Sequence, residues 1–233
     1  MSLNPVDTSR HIFERYCSYI STTFRLNRPE LNDQVQAEFR SGKFAKGPFL
    51  EVTLPFKEGL TIDELIEEDI LSPHFRNINK EALPTDRPLY IHQEDAIRKI
   101  VCAGRNIVVA TGTGSGKTES FMIPILNHLF RQVERGVLEP GVRALLLYPM
   151  NALANDQMKR LRKLLANNPE ITFGIYTGET EDEDRAAREK YLRMYEREPL
   201  PNELISRSQM KKTPPHILIT NYAMLEYLML RPD

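Results

Sequence analysis

The stretch ATGTGSGKTES, residues 110–120, decides how the rest of the chain is read. It follows the apolar run NIVVA (106–110) and opens a segment of helical periodicity that continues to about residue 134. Glycines at 112, 114 and 116 let the backbone curl until successive N–H groups face one anion, and the positive end of the new helix adds to that attraction. Lys117 is spaced to reach the outer phosphates of a nucleoside triphosphate, and the Thr118 hydroxyl to ligate Mg²⁺. Thr113, Gly114, Ser115 and Gly116 supply the cradle between them. The pattern predicts a strand, a phosphate loop and a helix that bind ATP or GTP with Mg²⁺. Thr111 stands where the strict form of this pattern has its first glycine.

Outward from the loop, apolar strands and helices alternate. IHQEDAIRKIVCAG (91–104) reads as a helix ending at Gly104. RALLLYP (143–149) reads as a second strand followed by a helix over 151–166, and ITFGIY (171–176) as a third strand. A charged insertion of mixed sign spans 179–212, helical between 180 and 197. HILIT (216–220) is a fourth strand, and NYAMLEYLML opens a last helix. Continuous apolar strands alternating with helices predict an α/β fold, a parallel sheet covered on both faces. Residues 1–88 follow a different pattern. A helix over 5–22 carries Ile12, Phe13, Tyr16, Tyr19 and Ile20 on one face, and Thr61 with Glu64 forms a capping box opening TIDELIEEDIL (61–71). Between them, prolines and glycines break the chain. The division predicted is a mainly helical accessory segment, 1–88, and a second domain, 89–233.

Five stretches, in order, carry a resemblance. The loop with its Thr111 resembles motif I of superfamily 2 helicases, where a small residue commonly replaces the first glycine. LYIHQEDAI (89–97) resembles the glutamine motif, LLLYPMNALANDQ (145–157) motif Ia, YTGET (176–180) motif Ib, and ILITNYAMLEYLM (217–229) the motif that follows. The likeness covers 89–233 and is closest to large bacterial helicases of phage-defence islands (DISARM-like) and of MrfA-like DNA repair. It implies an incomplete RecA-like P-loop domain that binds ATP and Mg²⁺ and acts on DNA rather than RNA, as a single strand or a duplex with a single-stranded end. Gln93 has an amide able to accept from adenine N6 and donate to N7, and Tyr90 is placed to pack on the base. Asn151, Thr177, Gly178, Thr220 and Asn221 fall just past strand C-terminal ends, where open parallel sheets bind ligands. The resemblance makes them contacts to the phosphates of the strand.

Composition narrows the alternatives. Lys plus Arg is 31 and Asp plus Glu is 32, so a polycation that coats nucleic acid by bulk attraction is excluded. Two cysteines, Cys17 and Cys102, make neither a disulfide framework nor a four-thiolate zinc site, and a reducing, cytoplasmic setting follows. No run approaches 18 apolar residues, so no membrane partner is expected. Lys159, Arg162 and Lys163 form a basic stripe that reads as a solvated helix face. Hydrolysis needs an acidic residue at a strand end, and none of the four strands ends in Asp-Glu. The expectation is therefore a chain that stops within the first motor domain, its partners being the remainder of the helicase and defence or repair proteins. Two other readings stay open: a P-loop enzyme outside the helicases, such as a small kinase, and a nucleotide-binding or assembly module without turnover.

Overall fold

Asn4 opens the first helix. Its Oδ1 accepts from the Val6 N–H at 3.1 Å and Pro5 takes the first helical position, giving α1, Pro5–Thr23. A second helix, α2 (Pro29–Arg40), also begins on a proline and lies where the sequence suggests only broken chain. Phe44 packs on Phe39, Phe13 and Tyr16, with ring centroids 4.8, 6.2 and 6.0 Å away. These elements belong to the first of two compact units, Met1–Pro55, and the second is Phe56–Asp233. The structure, a computed structural model, describes residues 4–47, 49 and 55–230.

In the second unit Thr61 caps α3 (Ile62–Glu67). Its Oγ1 accepts from the Glu64 N–H at 3.1 Å while Glu64 Oε2 accepts from the Thr61 N–H at 2.7 Å, the predicted capping box. A 3₁₀ turn, Pro73–Asn77, follows. Then come α4 (Ile91–Val101), α5 (Lys117–Glu134), β1 (Ala144–Tyr148), α6 (Asn151–Leu164) and β2 (Phe173–Tyr176). The charged insertion builds α7 (Asp184–Tyr195), the two-residue strand β3 (Glu203–Leu204) and α8 (Arg207–Lys212). The chain returns through β4 (Ile217–Asn221) to α9 (Tyr222–Leu230).

The four strands pair in parallel in the order β1-β4-β2-β3. In register, Ala144 sits opposite Ile217 and Phe173 opposite Ile217 on the other side. Ile217, Ile219, Phe173 and Leu146 pack against Leu161 and Met158 of α6 and Leu126, Leu129 and Phe130 of α5 in one core. This parallel sheet flanked by helices is the predicted α/β arrangement.

Residues 56–88 group with the sheet, so the boundary between compact units falls at 55/56 rather than at the change of sequence pattern near 88. Hydrogen bonds give the reason. The Gly59 N–H donates to Leu89 O at 2.7 Å, the Leu89 N–H to Leu60 O at 3.0 Å and the Ile91 N–H to Lys57 O at 2.9 Å. Ser72 N–H donates to Asn127 Oδ1 at 2.8 Å, and Arg131 pairs with Asp69 at 2.7 Å. Leu65, Leu71 and Phe75 join the main core, with Phe75 edge-on to Phe130 at 5.0 Å.

One predicted strand is not formed. Residues 106–110 pair with no described strand, and Val108 is 95% exposed. A strand needs a neighbour, and among the described residues β1 bonds only to β4, leaving its outer edge open with Leu145 and Leu147 at 42% and 47% exposure.

Candidate nucleotide and nucleic-acid site

The phosphate loop folds as its glycines dictate. Gly114 and Gly116 have φ of +77° and +72°, the left-handed region that side chains resist, and Gly116 caps the 18-residue helix α5. Lys117 Nζ turns back across the loop and donates to Gly112 O at 2.6 Å, while the Thr111 and Ser115 hydroxyls bond at 2.6 Å across its mouth. Ser115 is buried and its carbonyl meets His92 Nε2 at 2.9 Å. A cation folded over a curl of glycines at a helix N-terminus suits a polyphosphate, and Thr118 lies in the first turn behind it. Thr113 lies on the exposed rim. Among the described residues no cluster of three or more His, Cys, Asp or Glu side chains is placed to hold a metal by itself.

Gln93 lies against this loop but faces inward, 3% exposed. Its Oε1 accepts from the Tyr90 N–H at 2.8 Å and its Nε2 donates to Gly116 O at 2.8 Å, so both ends of the amide that the sequence assigns to adenine engage protein groups. Tyr90 stacks near His92 at 5.8 Å and beside Phe56 at 5.2 Å. Phe56 is an aromatic that sequence reasoning misses. The antiparallel bridge between Glu58 and Tyr90 and the bond between residues 57 and 91 bring it here, and no local pattern announces them.

At the C-terminal ends of the strands the structure gathers the second predicted set. Asn221 Nδ2 donates to Asn151 Oδ1 at 2.8 Å, and Asn151 Nδ2 donates to Glu179 Oε1 at 2.9 Å. Gly178 is exposed, with open space where a Cβ would stand. Thr177 and Thr220 are placed differently from the other three. Both are buried: Thr220 Oγ1 donates to Tyr176 O at 2.6 Å and Thr177 Oγ1 accepts from the Glu179 N–H at 3.3 Å. Thr220 ties β4 to β2 and Thr177 holds the turn after β2, so neither presents its hydroxyl to the surface. Arg207, from the insertion, donates to Thr177 O at 3.0 Å and lies 5.3 Å over the Tyr176 ring.

The insertion also corrects the reading of the basic stripe. Arg162 is buried, paired with Glu203 at 2.7 Å and lying 4.3 Å over the Tyr195 ring. Burial opposes its charge, but the Glu203 carboxylate outweighs burial and holds the guanidinium above its ordinary range. Burial, with Glu203 beside it, pushes the Tyr191 phenol up to about 12. The periodic spacing with Lys159 and Lys163 gives no hint of this, because the partner lies 41 residues away.

A profile of DEAD/DEAH box helicases matches residues 90–232, from Tyr90 through the loop and all four strands. The chain belongs to the DEAD/DEAH box helicase family. It is 26% identical to Druantia protein DruE of Escherichia coli, over 97% of this chain and 17% of that protein. It is 35% identical to the ATP-dependent helicase Lhr-Core of Methanothermobacter thermautotrophicus, over 55% of this chain and 14% of that one. The chain thus spans less than a fifth of the length of either relative. The solved structure of the DEAD-box helicase Mss116 bound to ssRNA and UDP-BeF superposes with a TM-score of 0.51 and 23% identity, over 76% of this chain and 31% of that one, and shares the fold.

Proposed function

We propose that this chain forms the nucleotide-binding and strand-contacting part of an ATP-dependent DNA helicase or translocase, working in the cytoplasm in phage defence or DNA repair. The phosphate loop carries the reading: two left-handed glycines, Lys117 folded over them, and a long helix opening directly behind. Mg²⁺–ATP, when bound, supplies the energy of phosphoryl transfer. Lys117 would exchange its bond to Gly112 O for the phosphates and offset their charge, and Thr118 would ligate the metal. Tyr90, with Phe56, offers an apolar wall to a base, while Gln93 holds the loop beside it. Asn151, Gly178 and Asn221 face the phosphates of a nucleic-acid strand, braced by Thr177 and Thr220. Contacts of this kind position a strand without reading its sequence, as a motor that steps along any sequence requires. DNA is chosen over RNA because the motifs resemble those of defence and repair helicases.

A second reading, a nucleotide-binding or assembly module without turnover, is favoured by the strand ends. β1, β2 and β4 end in Tyr148, Tyr176 and Asn221, none of them an acid that could orient a water. Hydrolysis by the whole protein, measured with and without single-stranded DNA and RNA, decides between them. The helicase reading expects DNA-stimulated turnover that Lys117→Ala abolishes. Binding without turnover would favour the module, equal stimulation by RNA would remove the DNA assignment, and wild-type turnover in Lys117→Ala would refute the site.

A further inference from the structure

Glu119 sits in the first turn of α5, two residues after Lys117, and is 8% exposed. A buried carboxylate there is unusual among the elements of the site because both of its oxygens face protein groups. Its two oxygens point to two elements. Oε1 accepts from Arg160 Nη2 of α6 at 2.6 Å, and Oε2 faces Gln93 Nε2 of α4 at 3.5 Å. Gln93 Nε2 also donates to Gly116 O, and Gln93 Oε1 accepts from the Tyr90 N–H.

This environment fixes the Gln93 amide. Its NH₂ end meets two acceptors, a carbonyl and a carboxylate, and its oxygen meets a donor. Reversing the amide would set oxygen against both acceptors and NH₂ against an N–H. The side chain is seated so closely on the loop that a Cβ at Gly116 would lie 2.3 Å from Gln93 Nε2 and 3.1 Å from Glu119 Oε2. The last glycine of the phosphate loop is therefore held by Gln93, Gln93 by Glu119, and Glu119 by Arg160.

We propose that Glu119 and Arg160 are positioning residues for the phosphate loop, acting through Gln93 on the Gly116 carbonyl. The ion pair holds the carboxylate in place. The carboxylate holds the amide, and the amide keeps Gly116 in its left-handed conformation, so that the N–H groups before Lys117 stay aligned without a ligand. The inference rests on the nucleotide reading above and deepens it. It also makes α6, the helix that begins at Asn151, part of the loop's support.

The test measures binding of Mg²⁺–ATP, Mg²⁺–GTP and inorganic tripolyphosphate by the full chain and by Glu119→Gln, Arg160→Met and Arg160→Lys, well below each variant's melting temperature. Because the pair acts on the loop and not on a base, Glu119→Gln and Arg160→Met should weaken all three ligands by a common factor of about ten, the scale of one lost charge-assisted hydrogen bond. Arg160→Lys should restore most of that loss, and the double variant Glu119→Gln/Arg160→Met should be no weaker than the worse single one. Unchanged tripolyphosphate affinity, or a loss confined to the ATP-to-GTP ratio, would overturn the proposal. Failure of the wild-type chain to bind any of the three would instead remove the nucleotide reading on which it stands.

Discussion

Removing the Glu203 carboxylate would leave the Arg162 guanidinium buried against the Tyr191 and Tyr195 rings with no counter-charge. Breaking one side of such a pair costs about 3–5 kcal/mol, whereas replacing both partners with apolar groups of similar volume is often close to neutral. Glu203→Ala should therefore lower the unfolding free energy in urea by about that amount, and Arg162→Met/Glu203→Leu by much less. Equal losses would show that the pair contributes its own stability rather than an unmet charge. Side chains whose role depends on neighbours in sequence are legible from the sequence alone. The curl of Gly114 and Gly116 and the position of Lys117 follow from local spacing. Arg162 reads in the sequence as a solvated charge, and the bond of Gln93 to the loop goes unseen, because their partners, Glu203 and Gly116, come from other elements.

His216, just before β4, joins this strand to the chain entering β2: its Nδ1 accepts from the Thr172 N–H at 2.9 Å, which requires an unprotonated nitrogen there. Burial is the main reason that its pKa is held below the ordinary 6.5, and Arg143 adds repulsion. The unfolded chain thus takes up the proton at higher pH than the folded one. The contribution to stability is complete above about pH 6.5 and is lost as the pH falls through the folded value. The melting temperature should drop on acidification from about pH 7 to about pH 5, and less steeply in His216→Gln, whose side-chain oxygen can still accept from Thr172. Parallel curves would count against this origin. The strands on either side of this junction are readable as apolar runs because β2 and β4 are buried by helices. NIVVA is an equally apolar run, yet it forms no ladder, since pairing depends on what lies alongside and not on composition. The helix α2 is hidden in the sequence because the prolines and glycines around it suggest broken chain, although Pro29 is itself a good first helical residue.

Over the molecule as a whole, the sheet unit brings the phosphate loop and the asparagine cluster onto one scaffold, in a chain whose formal charge is −1. On the proposed function, attraction for nucleic acid would be local, and it should be modest and indifferent to sequence. The open side of β1 has a separate consequence. Five residues in extended conformation present backbone groups that β4 does not satisfy, flanked by exposed Leu145 and Leu147. Such an edge is a template: a second copy can lay its own β1 alongside and continue the ladder across a twofold axis. Sedimentation at rising concentration should show a dimer that Leu147→Lys suppresses, and a concentration-independent monomer would refute it. In such a dimer two short sheets would join into one, and its population would rise with protein concentration.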